Sequence, residues 1–167
     1  STGAVYGRSY NVGGLVGEND YSGSITSSYS TGAVYGFCRV GGLVGYNWGG
    51  SIVNSYSTGA VSGDWDVGGL VGLNDYYGSI TSSYSTGAVS GTYGYVGGLV
   101  GYNDGSIMSS YSTGAVSGTG DCIGGLVGYN SSSGSIESSY WDVDTSGQSS
   151  SDGGEGKTTV EMKQQAT

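Results

Sequence analysis

The 167 residues hold 37 glycines, no proline, no histidine and a net charge of −9, from four basic and thirteen acidic side chains. Such a charge repels phosphate, so nucleic acid and anionic membrane surfaces are poor partners. The missing imidazole removes Ser–His–Asp and Cys–His catalysis, HExxH zinc sites and the commonest general base. No apolar run approaches a membrane span and no signal peptide is present. Membrane insertion is therefore not expected, and the opening inside a repeat reads as an excised or processed piece. Sixteen tyrosines and apolar residues kept in register argue for a folded chain rather than a disordered one.

Cutting before each "STGAV" divides the first 140 residues into five units, 1–29, 30–56, 57–84, 85–111 and 112–140. Three blocks recur in each, "STGAV", "GGLVG-x-N" and "GSI-x-x-SY", and length varies only between them. A fixed period of this size marks stacked units that bury a core only against their neighbours. Reading each block as a short strand predicts three strands and three bends per unit. That is one coil of an all-β parallel β-solenoid, ~4.8 Å thick.

Taken in chain order, the "TGAV" block offers the ladder Val5, Val34, Val61, Val89, Val116. The "GGLVG" block follows, and Leu15 and Val16 cannot both point inward along a regular strand. Either a bulge at the glycines shifts the phase, or one ladder faces outward as an apolar stripe. Next come Asn19, Asn47, Asn74, Asn103 and Asn130, which predict a structural ladder of amide hydrogen bonds capping a bend. In "GSITSSYS", Ile25, Ser27 and Tyr29 are expected on one face, with Ile and Tyr ladders joining the valines in a narrow core. Serines between them are expected to point inward and bond along the ladder. Cys38 and Cys122 are three coils apart, roughly 14 Å by the same spacing. No disulfide between them is expected, since a bridge needs Cα atoms within about 7 Å.

After Tyr140 the repeat gives way to "WDVDTSGQSSSDGGEG", read as a polar capping loop over 141–167 that ends in a short helix from about Thr159 to Ala166. Thr158 and Glu161 have capping-box spacing there. The first unit has no counterpart, so its strand edges are a template for further repeats or another copy.

Candidate chemistry is sparse. Asp64 and Asp66 share one short loop, but paired carboxylates for glycoside hydrolysis need a fixed separation across a substrate, and the other acids change position between units. No enzyme activity is expected. Asp142, Asp144 and Ser146 fall at the first positions of a calcium loop, with Asp152 as a further ligand. Calcium is thus the one cofactor considered, although the twelfth position is Gly153 rather than glutamate. The variable loops bring aromatic rings beside acids, a combination suited to glycans. Tyr10, Phe37, Asp64, Trp65, Asp66, Tyr93 and Tyr95 are expected along one edge. Tyr21, Trp48, Tyr76 and Tyr77 are expected along another. The competing reading is that these rings shield the Leu-Val stripe. An outward row Thr26, Val53, Thr81, Met108, Glu137 is too irregular for ice binding.

The blocks "GLVG" and "GSI-x-x-SYSTGAVSG", with the closing "YWDVDTSGQSSSDGGEGKTTVEMKQQAT", resemble the GLUG (Gly-Leu-any-Gly) repeat of large bacterial secreted and cell-surface proteins. Gly14-Leu15-Val16-Gly17 and its four equivalents carry the motif. Such repeats occur in adhesin-like proteins and beside catalytic domains, including those of IgA-specific metalloendopeptidases. The resemblance implies an extracellular or cell-surface location and a scaffold role, and it transfers no catalytic residue. The expected function is a stiff structural or adhesive module that assembles through its open edges. A carbohydrate-binding module and an enzyme's accessory domain are the alternatives.

Overall fold

The computed structural model describes residues 1–120 and 122–165. Asp121 of the "TGDC" loop and Ala166, the expected last residue of the helix, lie outside the described residues. Each coil is a turn of a parallel β-solenoid, but it contains five short strands rather than the three expected. In the first coil these are Val5–Tyr6, Tyr10–Gly13, Val16–Asp20, Ser24–Thr26 and Tyr29–Ser30. They start five parallel sheets, A to E in that order, each running through all five coils. The register is unbroken: Val5 pairs with Val34, Val16 with Val44, Ile25 with Ile52 and Tyr29 with Tyr56, and so on up the stack.

The extra corners come from residues with left-handed backbone. Ser27, Asn54, Ser82, Ser109 and Ser138 sit at φ of 46 to 51° between sheets D and E. This breaks the two-residue alternation, so Ile25 and Tyr29 do not share a face. The tyrosine ladder expected in the core lies outside it, with the rings of Tyr29, Tyr56, Tyr84 and Tyr111 stacked 4.9 to 5.3 Å apart and within 10° of parallel. Serine takes the inward place instead. Ser55, Ser83, Ser110 and Ser139 are buried. Each accepts the amide of the equivalent serine one coil below at 3.1 to 3.2 Å and donates to the carbonyl two residues earlier at 2.8 to 2.9 Å. A buried polar row is tolerated because both capacities are used.

Two apolar cores result. Valines of sheets A and B fill one, from Val12 and Val34 up to Val116. The other holds the Leu, Val and Ile ladders of sheets C and D and ends on Trp141. Leu and Val of the "GGLVG" block both point inward: Leu43, Val44, Leu70 and Val71 are fully buried. The phase shifts at the bend, where the Leu70 carbonyl accepts the amides of both Leu43 and Val44, at 2.9 and 3.0 Å. There is accordingly no outward Leu-Val stripe above the first coil.

Beyond the fifth coil the chain folds back over the open end. Ser150 accepts the amide of Gly125 at 3.0 Å, and Ser151 Oγ accepts those of Leu126 and Val127. Glu155–Lys157 adds a sixth strand to sheet E beside Tyr140–Asp142. Two short helices complete the tail, α1 (Val143–Ser146) and α2 (Thr159–Gln165). At the start of α2, Thr158 N donates to Glu161 Oε2 at 2.8 Å and Glu161 N to Thr158 Oγ1 at 3.3 Å, a reciprocal capping box. The loop and Trp141 cover the last coil, whereas α2 lies against α1 and the two terminal strands of sheet E. Cys38 and Cys122 are both free and stand in sheet B, three coils apart.

Candidate functional site

The motif block builds the bend on which the variable loops stand. Sheets B and C leave it back to back, so close that a side chain on the last glycine would collide with the facing backbone. A Cβ at Gly45 or Gly72 would lie 2.5 Å from the carbonyl carbon of Asn11 or Arg39. In the first four blocks the first two glycines are equally hemmed, against the carbonyl of the valine that follows and the glycine of the next coil, and in the fifth Gly124 meets the Val127 carbonyl and Gly125 the Trp141 indole. Glycine is demanded here by close approach, since no other residue lets two backbones meet at this distance. Two residues past the motif comes the asparagine ladder. Nδ2 of Asn19, Asn47, Asn74 and Asn103 donates to Oδ1 of the next asparagine at 2.7 to 2.8 Å. Each also donates to a glycine carbonyl across the bend, as Asn47 does to Gly50 at 3.0 Å and Asn130 to Gly134 at 3.2 Å.

Glycines fixed by close contact, a buried Leu and a repeated bend account physically for a Gly-Leu-any-Gly signature. A family model described as the GLUG motif matches residues 8–35, 38–62, 63–90 and 92–117, more than half of the chain. The chain belongs to the GLUG family. It has no significant match among curated proteins or among solved structures. The GLUG motif is a repeat module rather than a known catalytic domain, and GLUG repeats occur in extracellular bacterial proteins. No helix among the described residues is long and apolar enough to cross a membrane.

At the asparagine bend between sheets C and D, the loop aromatics gather. Trp48 lies 4.7 Å from Tyr21 and 5.6 Å from Tyr76, and Tyr76 lies 5.5 Å from Tyr77. Sequence reasoning missed Tyr46, which lies parallel to Trp48 at 6.4 Å and donates its hydroxyl to Asp75 Oδ2 at 3.1 Å. Burial, reinforced by the Asp75 carboxylate, pushes the Tyr46 phenol up to about 12. The Arg39 guanidinium covers its ring at 4.6 Å. Only the register could have pointed to Tyr46, since it places Tyr46 beside Glu18 and Leu73 on the outer face of sheet C.

Of the other expected row, Tyr10 and Trp65 stand in one register row of sheet B, with Phe37 and Tyr93 against them. Tyr10 meets Phe37 edge-on at 6.1 Å, and Trp65 meets Tyr93 at 5.7 Å. Tyr95 instead turns toward Tyr102 and Tyr129, at 5.5 and 4.9 Å. Asp64 and Asp66 differ in environment. Asp66 has φ of 50° and stands in register beside Arg39, which has φ of 53°. Burial pushes its carboxyl above the usual range, while the Arg39 charge pulls it back. Burial, and then the Asp66 charge, pushes the Cys38 thiol up, which leaves it a poor nucleophile.

In the tail, the residues weighed for calcium have local partners. Asp142 is the N-cap of α1: its Oδ1 accepts the amides of Asp144 and Thr145 at 3.0 and 3.1 Å, and its Oδ2 the Thr159 hydroxyl at 2.7 Å. Asp144 Oδ2 accepts Thr159 N, Ser146 Oγ accepts Gln148 N, and Asp152 Oδ2 accepts Asn130 N on the next layer. Among the described residues no three metal-ligating side chains converge. Asp at the N-cap and Gly147 in left-handed conformation after Ser146 were the legible signals of α1. A groove of about 690 Å³ separates α2 from the end of the tyrosine ladder, lined by Tyr111, Tyr140, Met162 and Lys163 among others.

Proposed function

We infer that this chain is a stiff, non-catalytic segment of a bacterial cell-surface or secreted protein, carrying adhesive parts away from their anchor. The observation that carries this reading is the unbroken register of all five sheets, which makes the repeat one continuous hydrogen-bonded rod. Its two ends are unequal. Leu15 is 43 % exposed, whereas Leu43, Leu70, Leu99 and Leu126 are fully buried. The asparagine ladder runs one way, so Asn19 Oδ1 is the one ladder acceptor with no asparagine donating to it. The first coil therefore accepts a further GLUG coil, from neighbouring repeats of the same protein or from a second copy. At the other end the loop 148–157 occupies the edge.

Negative-stain electron microscopy across a concentration series tests this. Short rods joining in pairs through their first coils are expected, with Leu15→Asp reducing the pairs. Unlimited filaments would overturn the closed end, and single rods at every concentration would overturn association between copies.

A further inference from the structure

The geometry points to a binding site for neutral pyranose sugars in the notch beside the Tyr76–Tyr77 turn. In the third coil this turn protrudes; in the fourth the equivalent loop is cut to Asp104-Gly105, and a cavity of about 300 Å³ opens beside the two rings. Its other lining is polar: Asp104, Ser106, Ser133 and Ser135. One wall is thus aromatic and the rest offers a carboxylate and hydroxyls. Sugars need both, since their C–H faces lie on rings while their hydroxyls donate to carboxylates. Asp104 Oδ1 is held by the Ser131 hydroxyl, which fixes the carboxylate and leaves Oδ2 without a hydrogen-bond partner among the described residues. The volume is at the small end for a ligand site and suits one ring of a larger chain.

Tyr77 is what separates binding from shielding. It is 85 % exposed and covers no core. Tyr76, by contrast, packs among Trp48 and Tyr21 and holds the wall in place. Both tyrosines have left-handed backbone, φ of 49 and 63°, in a turn closed by Gly78 N on the Asp75 carbonyl at 2.9 Å. Such a turn favours Asn-Gly, and an exposed tyrosine there adds strain with no burial in return, its ring meeting Tyr76 edge-on. Asp75 and Asp104, with a chain charge of −9, select against acidic sugars.

The test presents the purified chain to an array of neutral, sialylated and uronic-acid oligosaccharides, followed by calorimetry on the hits. Neutral glycans are expected to bind, about tenfold or more weakly in Tyr77→Gly and in Asp104→Asn. Trp65→Ala, in sheet B and not among the residues lining the notch, should bind as the parent does. Tyr77→Gly should unfold at the parent's temperature or higher, because glycine relieves the left-handed residue. No neutral glycan bound at millimolar concentration would overturn the site, as would binding indifferent to Tyr77→Gly and Asp104→Asn, or binding lost equally in Trp65→Ala. None of these outcomes bears on the rod or its end-to-end pairing.

Discussion

Asn74 donates its amide to Asn103 Oδ1 and accepts that of Asn47, both at 2.8 Å, in a fully buried position. Replacing it by alanine orphans the Asn47 donor below, the Asn103 acceptor above and the Gly78 carbonyl. Each unmade buried bond costs roughly 1–3 kcal/mol, so Asn74→Ala should destabilise by about 3 kcal/mol or more in urea unfolding. Asn19→Ala, at the end of the ladder, orphans no asparagine donor, only Asn47 Oδ1 and the more distant Gly23 carbonyl at 3.4 Å, and should cost about half as much. Asp66 makes a different prediction. Its folded pKa is raised, so the folded chain holds this proton more tightly than the unfolded chain. The contribution to stability is full below the unfolded pKa and is lost as pH rises through the folded one. Asp66→Asn should therefore raise the melting temperature at neutral pH, and the gain should vanish in acid below the ordinary carboxylate range. An equal gain at both pH values would refute the burial argument.

Strands of two to five residues have little stability alone, and the stack supplies it. Leu70 and Leu15 occupy the same place in their coils yet differ in burial. Leu70→Ala should cost about 3–4 kcal/mol, as expected for a large-to-small change in a packed core. Leu15→Ala should cost less than about 1 kcal/mol. Between sheets B and C the constraint is backbone contact. Gly72→Ala should prevent native folding, read as loss of soluble expression and of the β-sheet circular dichroism signal. Gly3→Ala, with nothing within 4 Å, should be silent.

For the whole rod, stability is the sum of coil and interface terms, and an uncovered end frays. Trp141 is only 6 % exposed and closes the Leu-Val-Ile core. Its indole donates to the Gln148 carbonyl at 3.0 Å, tying the covering loop to the fifth coil. Trp141→Ala should speed hydrogen exchange at Leu126 and Val127 while the third coil, at Leu70 and Val71, stays protected. Uniform loss of protection would instead mean that the five coils unfold as a single unit.

The repeat by itself determined the solenoid, the register and the asparagine ladder, because identical residues at a fixed period can bury and bond only against their own copies. It also carried the α2 capping box, a signal local to four residues. Where the chain turns was decided only in three dimensions. Ser27 and its equivalents adopt left-handed backbone because the stack rewards a buried serine row, and that moved the tyrosines outside. The phase of Leu43 and Val44 was open in the sequence, since alternation along a strand says nothing about a carbonyl that accepts two amides at a corner. The sugar notch was hidden for the same reason. It arises from a long loop on one coil standing over a short loop on the next, a relation between neighbours in the stack rather than along the chain.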